Sequence, residues 1–223
     1  MDFSIAEQFV ILTLNPEKGR VAIDSTHFRF SLTGAILLDY MDGEELRVED
    51  KRVIPSLKIN DDAIHLMFSD KIMKSSRNRK LSYWIYRLTN KSRFIFSEMT
   101  KSLEKRRVIQ IEHKKFLGII PYKRYWFLNK SIRTDLIESL RGILFYGKKP
   151  GKKELMLLSI LQAARAHSIL SKERGEIKIF RQKCTELLKG DNVGTEINQT
   201  FKEVQNAIES SITAAMIASH AGH

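Results

Sequence analysis

Cysteine is nearly absent: Cys184 is the only one in 223 residues. No disulfide can therefore form within the chain and no cysteine-based zinc site can assemble from it, which points to a reducing compartment. Long apolar runs are missing too. None approaches the roughly 18 to 20 residues that span a bilayer. The opening MDFSIAEQFVILTLNPEKGR lacks the basic start, extended apolar stretch and small-residue cleavage site of a secretory signal. Any membrane contact is expected to be peripheral, at a cytoplasmic face.

The motifs of catalysis are equally scarce. There is no phosphate-cradling glycine-rich loop, no HExxH, no GxSxG and no GxGxxG after a strand. Asp61 and His65 stand at helical i, i+4 spacing, but no third or fourth ligand follows at a metal-site spacing. A helix cap with a surface histidine is the expected arrangement. His167, inside QAARAHSIL, is expected to pack in the core, and Cys184, between Lys183 and Thr185, to be an inert thiol. The paired carboxylates Glu44-Glu45 and Asp61-Asp62 adjoin turns, where capping explains them. The expectation is a non-enzymatic protein with no metal and no cofactor.

What the chain does carry is apolar residue in quantity and positive charge in excess. Its 43% hydrophobic and 29% charged residues describe a globular fold. Thirty-eight Lys and Arg against 26 Asp and Glu leave a formal charge of +12. That surplus favours nucleic acid, anionic lipid or an acidic protein as partner without ranking them.

Read for periodicity, the chain is mainly α and expected to form one domain over residues 1–223. Ser4 with Glu7 fits a capping box ahead of Ile5, Phe9 and Leu12, and the helix should stop at Asn15-Pro16. A turn at Glu17–Arg20 leads to a helix through Phe30, Leu32, Ile36 and Tyr40 that ends near Gly43. ELRVE and KRVIP, around Asp50, suggest a small hairpin near residues 45–55. Asn60–Asp62 should cap a helix through Ile64, Phe68 and Ile72, with a charged loop at Ser75–Lys80. Further helices are expected over Leu81–Leu88, from Ser92 to about Arg107 with Phe96, Met99 and Leu103 inward, and over Ile132–Tyr146, Lys153–Leu170, Ile177–Leu188 and Thr195–Ser219.

Residues from Val108 to about Leu128 break this pattern, being β-branched and aromatic, and predict a projecting β-hairpin turning around Gly118 and Pro121. Arg106, Arg107, Lys114, Lys115, Lys123 and Arg124 surround its apolar residues Phe116, Leu117, Ile119, Ile120 and Tyr122. An oily tip ringed by cations suits the interface of an anionic membrane, with the cations on headgroups and the apolar residues inserted. The same tip would also serve as an oligomer contact. A winged-helix arrangement on nucleic acid is the competing reading. It ranks lower because the segment from Phe94 to Arg107 lacks the dense Arg, Asn and Gln face that base edges require.

Four stretches in order, SIAEQFVILTLNPEKGR (Ser4 to Arg20), SLTGAILLDYM (Ser31 to Met41), FLGIIPYKRYWFLN (Phe116 to Asn129) and ELMLLSILQAARAHSIL (Glu154 to Leu170), resemble the Golgi phosphoprotein three family. The family comprises phosphatidylinositol 4-phosphate effectors and bacterial relatives. The resemblance implies a helical domain with a projecting hairpin, no catalysis, a phosphoinositide headgroup pocket beside the hairpin and an adaptor role toward a protein client. It places a Trp and an Arg of that pocket at positions occupied here by Asp24 and Thr33. The family's paired basic residues, one turn apart, fall on Arg93 and Phe96. Asp24 in place of an indole should repel phosphate, and the cations missing at Thr33 and Phe96 remove charge-assisted bonds. General affinity for acidic lipid is therefore expected in place of a specific headgroup pocket.

Overall fold

The computed structural model describes residues 2–56, 63–171, 173–189 and 195–221. Helix α1 (Ile5–Thr13) begins with the expected capping box: Ser4 Oγ accepts from Glu7 N, and Glu7 Oε2 accepts from Ser4 N, both at 3.2 Å. Asp39, from the next helix, supplies a second cap by accepting from Ile5 N at 2.6 Å and Ala6 N at 3.0 Å. The apolar residues of α1 lie at the centre of the molecule, Phe9, Val10, Ile11 and Leu12 all fully buried.

Beyond α1, Leu14–Asn15 (β1) pairs antiparallel with Arg20–Val21 (β2). Asn15 Oδ1 accepts from Glu17 N and Lys18 N, and Gly19 adopts a φ of 57°. The expected turn is thus closed by a two-residue ladder that periodicity had not indicated. Helix α2 (Ser25–Asp42) starts earlier than its apolar series suggests because Asp24 caps it, accepting from Thr26 N and His27 N at 2.9 and 3.0 Å. Gly43 ends it, as expected. Gly34 lets the segment around Ile208 approach: a Cβ there would stand 2.4 Å from Ile208 Cδ1.

β3 (Leu46–Glu49) and β4 (Arg52–Pro55) form the expected small hairpin, with Asp50 and Lys51 both at positive φ, as a tight two-residue turn requires. The Asn60–Asp62 cap lies outside the described residues. Helices α3 (Ala63–Met73), α4 (Leu81–Thr89) and α5 (Ser92–Lys105) follow. The inward face of α5 is rotated from the expected one. Ile95, Thr100 and Leu103 are buried, while Phe96 and Met99 lie half-buried at its edge.

β5 (Ile109–Phe116) and β6 (Ile120–Phe127) make the projecting hairpin, in register from Ile109 opposite Phe127 to Phe116 opposite Ile120. Leu117 and Gly118 take positive φ at the turn. Pro121 lies inside β6, opposite Lys115, and not in the turn. Both strands of a two-stranded ribbon are edges, so its missing N–H is tolerated.

The rest is helical: α6 (Lys130–Tyr146), α7 (Lys152–Ala163), α8 (His167–Leu170), α9 (Arg174–Lys189) and α10 (Thr195–Ala221). The single helix expected over Lys153–Leu170 is broken. Arg165 adopts a φ of 52°, Arg165 N donates to Gln162 O and Ala166 N to Leu161 O, the paired bonds of a Schellman stop. The buried apolar residues form one cluster in which α2 packs on α1, α4, α5, α7 and α10.

Candidate membrane-docking hairpin

The register divides the hairpin into two faces, since cross-strand partners share a side. One face holds Ile109, Phe127, Ile111 and Tyr125 at the base and His113, Lys123, Lys115 and Pro121 beyond them. The other runs from Gln110 and Trp126 through Glu112, Arg124, Lys114 and Tyr122 to Phe116 and Ile120. Burial falls from base to tip. Val108 and Ile109 are fully buried and Phe127 nearly so, whereas Phe116, Leu117, Ile119 and Ile120 are 57, 80, 81 and 60% exposed.

Two contacts orient this ribbon. Glu104 of α5 accepts from Ile111 N at 2.7 Å. At the Gly19 turn, Tyr125 N donates to Gly19 O at 2.9 Å and Arg124 Nη1 to Lys18 O at 2.6 Å. The turn fits so closely that a Cβ on Gly19 would meet Tyr125 N at 3.2 Å and Trp126 Cε2 at 3.3 Å. This docking brings exposed Lys18 and Arg20 to the hairpin's base. Sequence reasoning missed both as part of the basic face, and no local signal links a turn to a strand more than 100 residues later.

The expected cations differ in availability. Lys115 and Lys123 are exposed on one face of the hairpin. Lys114 pairs with Glu112 at 3.2 Å, and Trp126 Nε1 donates to the same carboxylate at 2.7 Å. The Trp126 bond first, then Lys114, holds the Glu112 carboxyl below the usual range. Arg124, besides binding Lys18 O, lies 5.2 Å from the Tyr122 ring centroid. Arg107 is exposed at the corner between α5 and β5, with a φ of 56°, and Arg93 is exposed in the first turn of α5. Arg106 is committed elsewhere: it pairs with Glu7 at 2.8 Å, donates to Asp2 O and covers the Phe3 ring at 4.1 Å.

The sequence model of the Golgi phosphoprotein 3 (GPP34) family matches residues 5–208. This chain belongs to the Golgi phosphoprotein 3 family. No curated protein matches it. Of the positions where the resemblance expects a headgroup pocket, Thr33 and Phe96 are taken up by packing, while Asp24 and Arg93 are exposed. Phe96 stands edge-on to Phe28 at 5.2 Å and to Tyr125 at 5.1 Å, and Phe28 stacks on Phe9 at 5.7 Å. This aromatic column joins α1, α2, α5 and the hairpin. Thr33 is fully buried, donating to Arg29 O and accepting from Thr89 Oγ1. Asp24 serves as the α2 cap and pairs with His27 Nδ1 at 3.0 Å.

Side chains of catalytic type serve structure as well. His65 is not the surface histidine expected; it is 3% exposed, pairs with Glu45 and stands edge-on to Tyr40. His167 packs edge-on to Phe180 in the core, as expected. Cys184 is fully buried, and burial pushes its thiol far above the ordinary range, away from thiolate reactivity. No helix among the described residues is long and apolar enough to cross a membrane, and none of their His, Cys, Asp and Glu side chains form a metal-holding group of three.

Proposed function

We propose that this protein attaches peripherally to anionic membranes by inserting the hairpin tip at the acyl boundary, with Lys114, Lys115, Lys123 and Arg124 on the headgroups. The observation that carries this reading is the contiguous tip Phe116, Leu117, Ile119 and Ile120, four large apolar side chains each more than half exposed. Fully burying one such side chain contributes roughly 1.5–3 kcal/mol, so half of that from each of four is on the order of 3–6 kcal/mol. Each cation near an anionic surface adds ~1 kcal/mol. Insertion and charge thus contribute on a similar scale, and charge supplies the preference for acidic lipid. Phe96 packs between Phe28 and Tyr125, and in this reading recognition rests on surface charge more than on the stereochemistry of one headgroup. Attachment by the tip leaves the helical body in water, positioned to hold a protein client as an adaptor.

The competing use of the tip, self-association, would bring Lys114, Lys115, Lys123 and Arg124 of two copies together, a repulsion that anionic headgroups convert into attraction. Flotation with phosphatidylserine and with neutral phosphatidylcholine vesicles tests the proposal beside sedimentation. Wild type should float with phosphatidylserine in a salt-sensitive manner. Lys115→Ala with Lys123→Ala should weaken flotation, Phe116→Asp with Ile119→Asp should abolish it, and all forms should sediment as one species. An aspartate variant that dissociates an oligomer yet still floats would show the tip to be an assembly contact.

A further inference from the structure

Where the end of α7, its link to α8, α9 and the second half of α10 meet, they leave a groove of about 480 Å³ that shares no lining residue with the hairpin. Arg165, in the link, and Arg181 of α9 bring two guanidiniums to it. The α10 wall presents Glu209, Ile212, Thr213 and Met216, spaced to share one helix face.

Opposite charges line this groove without closing on each other. Glu209 Oε1 accepts from Gln205 Nε2 at 2.9 Å, and among the described residues it forms an ion pair with neither arginine. Arg165 is held at a φ of 52° by the stop that ends α7, a conformation that glycine adopts without strain. An arginine there gives up stability, and no carboxylate among the described residues pairs with its guanidinium to explain the choice. Burial first, then Arg181 and Arg165, lower His167 to about 4, so both guanidiniums approach the same neutral ring. Gln162, also lining the groove, has its Oε1 buried without a hydrogen-bond partner among the described residues, while its Nε2 lies 3.4 Å from Thr185 Oγ1. An unmet acceptor of this kind is destabilising, and an N–H arriving in the groove would satisfy it.

A ligand of one sign fits such a groove poorly, since an anion would meet Glu209 and a cation would meet the two arginines as like charges. A compact zwitterion satisfies both: guanidinium geometry matches a carboxylate, and Glu209 with Gln162 matches an ammonium. Ala163, Ile212 and Met216 add an aliphatic surface between them. We infer that this groove binds a free amino acid with an aliphatic side chain. Its carboxylate meets Arg165 and Arg181, its ammonium meets Glu209 with Gln162 as a further acceptor, and its side chain lies against Ile212 and Met216. The inference is independent of how the hairpin meets a membrane.

Calorimetric titration of the full chain with L-leucine tests this beside two fragments of the same skeleton, isocaproate, which lacks the ammonium, and isopentylamine, which lacks the carboxylate. Leucine should saturate and bind about tenfold more tightly than either fragment. Arg165→Gln with Arg181→Gln should weaken leucine about tenfold or more. Glu209→Gln should weaken leucine yet leave isocaproate bound no more weakly than by wild type, a split that general loss of structure would not produce. Arg165→Gly should raise the urea midpoint by relieving the positive φ and still weaken leucine, so that lost binding is separated from lost folding. Phe116→Asp with Ile119→Asp should bind leucine as wild type does. No saturation by leucine, equal affinity for leucine and isocaproate, or leucine binding indifferent to Arg165, Arg181 and Glu209 would each overturn the inference and leave the groove a solvated surface of mixed charge.

Discussion

Arg106 and Lys115 look interchangeable as sequence, two cations flanking the same hairpin, yet their surroundings give them different work. The side chain of Arg106 is 29% exposed and that of its partner Glu7 is 9% exposed, and Glu7 also caps Ser4 N and accepts from Ser102 Oγ. Removing the guanidinium would leave a nearly buried carboxylate without its counter-charge. Arg106→Gln should therefore cost on the order of 1–3 kcal/mol in urea denaturation, while the folded variant floats with acidic vesicles as wild type does. Lys115→Ala should do the reverse, changing stability by less than ~0.5 kcal/mol and weakening flotation. Equal effects of the two on flotation would return Arg106 to the lipid-binding face.

The hairpin is useful only if it is aimed, and the aim comes from a turn far away in sequence. Gly19 answers two demands at once: a φ of 57° and room for Tyr125 N, Arg124 Cβ and Trp126 Cε2, each within 3.3 Å of where a Cβ would be. Gly19→Ala meets both penalties, so the turn should lift from the strand at a cost of about 1–2 kcal/mol. The expected signs are a changed Trp126 emission, faster proteolysis within β5 and β6, and weaker vesicle binding with every cation and tip residue still present. Gly118→Ala is the control for backbone strain alone, because it shares a positive φ, 73°, while its added Cβ meets nothing within 4 Å. An unchanged hairpin in Gly19→Ala would mean that α5 alone sets the angle.

Across the whole molecule, two buried titratable groups pull stability in opposite directions over one pH window. Burial, with Arg181 and Arg165 adding to it, lowers His167 from 6.5 to about 4. Its contribution is fully present above pH 6.5 and is lost as pH falls toward 4. Burial also raises Asp39 from 3.8 to about 7, outweighing the bonds it accepts from Ala6 and Ile5. That contribution is fully present below pH 3.8 and is lost as pH rises through about 7. Relative to wild type, Asp39→Asn should lose stability on going from pH 7 to 4.5, and His167→Gln should gain it, each by at most on the order of 3 kcal/mol. Urea midpoints at several pH values check this; parallel profiles for all three proteins would remove both groups from the balance.

Sequence by itself determined the helical character, both long-spaced hairpins and the order of the elements, because capping, helical periodicity and tight turns act over about four residues. The Ser4–Glu7 box, the Asp50–Lys51 turn and the β5–β6 ribbon were legible for that reason. So was the exposed apolar tip. The break at Arg165 was not, since apolar periodicity runs through it and only a left-handed residue reveals the stop. Only the tertiary structure decided which cations remain available and what fills the space beside Phe96. It also brought Lys18 to Arg124 and Arg52 to Arg79 and Lys80. Those outcomes depend on backbone partners and ring contacts between residues 26 to 106 positions apart, and a pattern confined to neighbouring residues carries no record of them.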